Sequence, residues 1–172
     1  MDEIVIAVDA NVLISAMMSA EGVCRRFLIL PLIDDRIKLI ISKEVLQEVR
    51  GNTSIISRRT GLSAASILEA LRELIKHMEE VIISGFDKNY ALNFVRDKND
   101  AHIVLLALAG NADYIATYNK RDFKTRNLAP LGIKIRTPAE LLIEAGYQWT
   151  DLYSTKQKRG LTLSAYKTKL SR

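Results

Sequence analysis

Ile4-Val5-Ile6-Ala7-Val8-Asp9 is the stretch from which the fold is read. Five successive apolar residues, most of them β-branched, describe a strand covered on both faces, the pattern of an inner strand in a parallel sheet. Asp9 then stands at the carboxyl end of that strand, where ligands collect in open α/β sheets. Ile37-Lys38-Leu39-Ile40-Ile41 reads as a second strand, and Ser42 after it is a good N-cap for a helix starting at Lys43. In that helix Val45, Leu46 and Val49 form one face, while Glu44 and Glu48 lie four apart on another.

Downstream, Asn99 to Gly110 reads as a buried helix with a polar start and a glycine stop, and Asp97 and Asp100 sit at its beginning. Asp113-Tyr114-Ile115-Ala116-Thr117 reads as another inner strand that carries Tyr118 and Asn119 to its end. Between these landmarks the pattern predicts a helix from Glu21 to about Leu32, disturbed by Pro31, then a turn at Asp34-Asp35. Gly51-Asn52-Thr53 breaks the helix that follows the second strand, with a short continuation over Ile55 to Arg59. A long amphipathic helix is expected from Ser63 to about Glu80, its stripe made of Ile67, Leu68, Leu71, Leu74, Ile75 and Met78. A short strand at Val81-Ile82-Ile83, a helical turn or two over Tyr90 to Val95, and a last strand at Ile133-Lys134-Ile135 follow. Thr137-Pro138 starts a helix over Ala139 to Ala145, with proline at its first position. Strands alternating with helices give an α/β fold: a mainly parallel sheet of about five strands with helices on both faces.

The 172 residues, 48% of them hydrophobic, suit one domain that buries roughly 70% of its unfolded surface. No apolar stretch approaches the roughly 20 residues of a membrane span, and no leader pattern opens the chain, so a cytoplasmic protein without a membrane partner is expected. One cysteine, Cys24, excludes an internal disulfide and a cysteine zinc site and reads as core. The net charge of +5 is uneven. Lys156, Lys158, Arg159, Lys167, Lys169 and Arg172 fall in residues 153 to 172 without any acid, which leaves the remainder close to neutral. The expected division is a folded domain over 1–147 and a basic tail over 148–172. In that tail Leu163, Tyr166 and Leu170 share a face at helical spacing, as in a short helix docked on the body or on a second protomer. Its lysines and Arg159 are candidates for RNA phosphates; a solvated tail is the competing reading.

With the sheet wound in this way, Asp9, Glu48, Asp97 and Asp100 converge. Two like charges about 4 Å apart repel by about 1 kcal/mol in water and by several times that in a less polar cleft, and a bound cation removes the repulsion. Oxygen-only ligation suits Mg²⁺ or Mn²⁺. Such ions polarise phosphoryl oxygens and acidify bound water, so phosphodiester hydrolysis is the chemistry that follows. Taken singly, Asp9 reads equally as a strand-end turn residue and Asp100 as a helix cap or a favourable N-terminal charge; their order as a set favours a site. Glu44 reads as a solvated first-turn acid, Asp113 and Glu140 as turn and helix-start residues, His77 as surface, and His102 as a helix residue no more than near the site.

The strings V-D-A-N-V-L-I-S (Val8 to Ser15), S-K-E-V-L-Q-E-V (Ser42 to Val49), D-K-N-D-A-H-I-V-L-L-A-L-A (Asp97 to Ala109) and A-D-Y-I-A-T-Y-N-K-R-D-F (Ala112 to Phe123) resemble PIN-domain ribonucleases, among them the VapC-type toxins of toxin–antitoxin pairs. The resemblance spans about residues 4 to 143, and the order and spacing of the strings carry it. It implies a three-layer α/β/α sandwich whose acidic pocket holds one or two Mg²⁺ or Mn²⁺ ions and cuts RNA, an antitoxin partner, and a homodimer. By position Asp9, Glu48 and Asp100 match the metal-binding acids, and Asp97 the acid that accompanies the third. Asn11 matches the polar position that orients the first aspartate, and Thr117 a hydroxyl near the site. The chain departs from the pattern at Asn119, where many members carry a fourth aspartate; members with asparagine there often continue to an Asp-Phe pair, as Asp122-Phe123 does, which makes Asp122 a substitute ligand.

Other functions are weighed against this one. Loss of the fourth carboxylate at Asn119 allows an inactive PIN-like module that binds RNA or protein. A phosphoacceptor domain places its aspartate on a later strand beside an acidic pair. A haloacid-type phosphatase needs a second aspartate where Asn11 stands. Dinucleotide chemistry lacks the G-x-G-x-x-G that should follow the first strand.

Overall fold

The computed structural model describes residues 3–19 and 21–147. The tail residues singled out above, from Lys156 onward, lie outside this range. Five strands form one sheet in the order β3-β2-β1-β4-β5: β1 is Ile4–Val8, β2 Ile37–Ile41, β3 Glu79–Glu80, β4 Tyr114–Ala116 and β5 Lys134–Arg136. Every pairing is parallel. β1 therefore lies at the centre, and Ile6, Ala7 and Val8 are buried as its uninterrupted apolar run requires.

The connections fix the layers. From β1 through β2 to β3 the chain moves one way across the sheet, carrying α1 (Ala10–Met18), α2 (Val23–Leu28), α3 (Lys43–Gly51), α4 (Thr53–Thr60) and α5 (Ala64–Ile75). It then crosses back to β4 and on to β5 through α6 (Lys88–Ala91), α7 (Ala101–Ala109) and α8 (Thr125–Leu128), and ends on α9 (Pro138–Glu144). Right-handed crossovers in opposite directions place α1–α5 and α6–α8 on opposite faces, with α9 returning to pack on α2, giving a three-layer α/β/α sandwich. The reversal makes the gap between the carboxyl ends of β1 and β4 a topological switch point, where such sheets bind ligands.

Several expectations need correction. No helix is expected over 10–18, yet α1 forms there. Only Asn11 and Ser15 are polar in this segment, so its composition is apolar nearly all round and lacks the one-sided stripe that marks a surface helix, and Ala10, Val12, Leu13, Ala16 and Met17 are buried. The long amphipathic helix ends at Ile75, not near Glu80, because Glu79 and Glu80 pair with Ile40 and Ile41 as the edge strand β3. The strand expected at Val81 to Ile83 thus lies two residues earlier, with Val81 N still donating to Ile41 O at 2.8 Å. Ile67, Leu71 and Leu74 of the α5 stripe are buried in the core. The last strand is displaced by one residue, to Lys134–Arg136.

Local chemistry sets the ends of the elements that carry the site. The Ser42 hydroxyl caps α3 by accepting from Val45 N at 3.4 Å. Thr137 and Glu140 close a full capping box on α9, with Pro138 at its first turn. Cys24 is buried, with its Sγ 3.1 Å from the Tyr118 hydroxyl.

Candidate metal centre

Asp9 is the first residue beyond β1 and the N-cap of α1, so the strand sets its position and the helix its direction. Asp9 N continues the ladder to Ala116 O at 3.1 Å, which aligns it beside Thr117 at the end of β4. The Thr117 hydroxyl donates to Asp9 Oδ2 at 2.7 Å, and Asn11 Nδ2 donates to the same oxygen, also at 2.7 Å. Asn11 Nδ2 also reaches Thr117 Oγ1 at 3.1 Å, and its Oδ1 accepts from Tyr118 N at 3.2 Å. Asn119 N closes the set by donating to Thr117 Oγ1 at 3.0 Å. Asp9, only 3% exposed, is thereby held rigidly through one oxygen by two side-chain donors.

The cost of that burial appears in its acidity. Burial raises the Asp9 carboxyl above its ordinary range; the Thr117 hydrogen bond works the other way, and the charge of Glu48 pushes it up further. Asp100 is pushed up to about 6, first by burial and then by the charges of Asp9, Asp122 and Asp97, with His102 opposing. The charges acting on Asp100 place Asp9, Asp97 and Asp122 in its electrostatic neighbourhood, and Glu48 acts on Asp9.

Asp100 begins α7 but makes no side-chain cap, so its carboxylate is not spent on the helix. Asp97 is exposed and does cap, accepting from Asn99 N at 2.9 Å. Asp122 is brought to the cluster by a long-range clip: Val95 and Phe123 form an isolated antiparallel bridge, with Arg96 N donating to Asp122 O and Lys124 N to Phe94 O, both at 2.7 Å. Glu48, on the last part of α3, lies 3.4 Å from His102 Nε2. Burial disfavours the imidazolium, yet the Glu48 carboxylate, the Asn99 carbonyl and the Asp9 charge together raise the His102 pKa. The sequence reading undervalued His102. Its signal is that it is the single polar residue within the otherwise apolar Ala101–Ala109, and one polar group on a buried helix needs a partner. The Val95–Phe123 bridge has no local signal at all.

Among the described residues, no three Asp, Glu, His or Cys side chains are gathered closely enough to hold an ion as they stand. The donor chemistry nonetheless fits a hard divalent cation. The candidate ligands are carboxylates, Asp9 keeps its Oδ1 clear of side-chain donors, and Asp100 sits in a field that makes its ionised form costly without a cation. Asn119, exposed and neutral, adds no charge.

A PIN domain model matches residues 5–121 of the chain. No curated protein matches it. Among solved structures the fold is similar to a chain in the crystal structure of VapBC2 from Rickettsia felis bound to a DNA fragment from their promoter. The two share 16% identity and a TM-score of 0.55, over 77% of this chain and 98% of that one.

Proposed function

This chain belongs to the PIN-domain family, and from that premise we propose that it is a metal-dependent endoribonuclease that hydrolyses RNA phosphodiester bonds. The observation that carries the reading is the buried Asp9, fixed by Thr117 and Asn11 at the switch point and sharing a field with Asp100. Asp9, Glu48 and Asp100 would hold Mg²⁺ or Mn²⁺, with Asp97 and Asp122 contributing from the outer side. A bound ion of this kind supplies charge for the phosphoryl oxygens and acidifies water at neutral pH.

The chain's own groups do the rest. Thr117 and Asn11 keep Asp9 from rotating, so its second oxygen is held in one orientation without further ordering when substrate arrives. His102 Nε2 lies 3.4 Å from Glu48 with no hydrogen-bond partner among the described residues, and a proton on it offsets part of the acidic charge there. The Val95–Phe123 bridge keeps Asp122 near enough for its charge to act on Asp100, where it takes the place of the aspartate that Asn119 lacks.

We further propose a cytoplasmic, homodimeric toxin restrained by an antitoxin; only the antitoxin part draws support from the VapBC2 likeness. Among the described residues no helix is long and apolar enough to cross a membrane. Asn119 favours a second reading, a PIN-like module that binds RNA or protein without cutting. Nuclease-free preparations separate the two. Cleavage of RNA that needs Mg²⁺ or Mn²⁺ and vanishes in Asp9→Asn supports the enzyme; binding without cleavage supports the module.

A further inference from the structure

Two segments, 94–98 and 119–126, carry Arg96, Lys98, Lys120, Arg121, Lys124 and Arg126 against two acids, Asp97 and Asp122. They hold six of the 19 Lys and Arg in residues 1 to 152 but only two of the 20 Asp and Glu, so the rest of that body is net negative and this place is positive. The segments are distant in sequence and joined in space. Besides the Val95–Phe123 bridge, Asn127 Nδ2 donates to Asn93 O at 2.7 Å and Lys124 Nζ to Leu92 O at 3.4 Å. Lys120 is occupied by Glu140, at 2.8 Å. Arg96, Lys98, Arg121 and Arg126 are exposed, and among the described residues they take part in no ion pair.

The placement has an electrostatic logic. Asp97 and Asp122, each set between or next to these cations, are two of the three acids, with Asp9, whose charges act on Asp100. A polyanion approaching Asp9, Asp100 and Asp122 is repelled by every one of them, and flanking cations that neutralise its phosphates are what allow it to stay. A helix or turn that merely needed solubility would not concentrate one sign of charge on two clipped segments at the edge of an acidic pocket.

From this we infer that Arg96, Lys98, Arg121 and Arg126 form a phosphate-gripping rim along one bank of the acidic pocket, seating a single RNA strand so that its backbone crosses the carboxylates. The inference rests on the nuclease reading above and adds to it the residues that hold the substrate. Grip and cutting are then separable properties: the rim sets affinity and its salt dependence, and the carboxylates set turnover.

The test is binding of a short single-stranded RNA to the full chain carrying Asp9→Asn, followed across a series of salt concentrations. In that background the rim variant (Arg96→Gln, Lys98→Gln, Arg121→Gln, Arg126→Gln) is expected to lose at least tenfold in affinity. Its slope of log K against log salt should flatten by roughly 2 to 3, since each phosphate contact on a single strand is worth about 0.7. A control with the same loss of net charge on α4 and α5 (Arg58→Gln, Arg59→Gln, Arg72→Gln, Lys76→Gln) should change affinity by less than about threefold. A variant that keeps Lys98 and replaces the three arginines by lysine should bind nearly as the parent does, which with matching thermal melts excludes misfolding. Equal weakening by the rim and control variants overturns the rim, because the whole field would then be at work. If the wild-type chain cuts RNA with Mg²⁺ and the same four rim substitutions made with Asp9 intact leave binding and cutting unchanged, the rim is wrong and the nuclease reading survives. If rim-dependent binding is found but the wild-type chain never cuts RNA, the rim stands and the nuclease reading fails.

Discussion

The Thr117 hydroxyl reaches Asp9 Oδ2 at 2.7 Å across 108 positions of sequence. One hydroxyl on the end of β4 thereby fixes the acid on the end of β1, and it also accepts from Asn119 N at 3.0 Å. Thr117→Val keeps the shape and removes all of this, leaving Asn119 N without its acceptor and Asp9 with one donor. The expected cost is about 1 to 3 kcal/mol of stability, with a further rise in the Asp9 pKa and a loss of cleavage; Thr117→Ser should retain both. Denaturant titration and RNA cleavage on the pair decide it. A Thr117→Val protein as stable and active as the parent would show that the hydroxyl holds nothing.

Asp9→Asn should abolish cleavage by at least a hundredfold while leaving the metal-free protein as stable as before, or more so. The reason is that a carboxylate kept above its ordinary pKa by burial is a cost to the fold, which a neutral amide removes. Thermal melting in chelator, read beside activity, checks it. A marked drop in Tm would show that the charge itself supports the fold.

Stability should depend on pH and metal together. The folded pKa of Asp100, about 6, lies above the roughly 3.9 of an unfolded aspartate, so between those values the folded chain binds more protons. The metal-free protein therefore loses stability as pH rises from about 4 through 6 and should melt higher at pH 5 than at pH 7.5. A cation that occupies the site binds the ionised form, so adding Mg²⁺ or Mn²⁺ should raise Tm at pH 7.5 more than at pH 5. Melting curves that are unmoved by either ion at both pH values would count against metal binding by these carboxylates.

Glu140 serves two elements. Its Oε2 accepts from Thr137 N at 2.7 Å, and its carboxylate meets Lys120 Nζ at 2.8 Å. Glu140→Ala loses both and should cost about 1 kcal/mol, on the order of 2 to 4 °C in Tm for a domain of this size. Glu140→Gln keeps the box and loses the exposed ion pair, which is worth less. Equal losses in the two variants would assign the whole effect to the ion pair.

What the sequence reveals of this molecule follows from which forces are local. β1 and β2 are legible to the residue because uninterrupted apolar runs have no other stable place than inside a covered sheet. Ser42 and Thr137-Pro138 are legible because caps are chemistry between residues three apart. β3 is not, since Glu79 and Glu80 form a strand only because β2 offers them a free edge, and nothing in two acidic residues says so. α1 hides for the opposite reason, being apolar on too many sides to show a period. At the site, the positions of Asp9, Asn11 and Thr117 can be anticipated from the strands they end. The grouping of Asp122 with Asp100 depends on a two-bond bridge between residues 95 and 123, and the contact of His102 with Glu48 on the packing of α7 against α3; both are tertiary outcomes.

Asp9 leaves its strand early in the chain, but the hydroxyl that steadies it belongs to a strand completed more than a hundred residues later. During synthesis the growing polypeptide therefore carries the central acid long before it carries the means to aim it, and contacts so far apart in sequence close late in folding. Fragments ending before Thr117 lack the hydroxyl that fixes Asp9, so the arrangement around this acid waits until about two-thirds of the chain has been made.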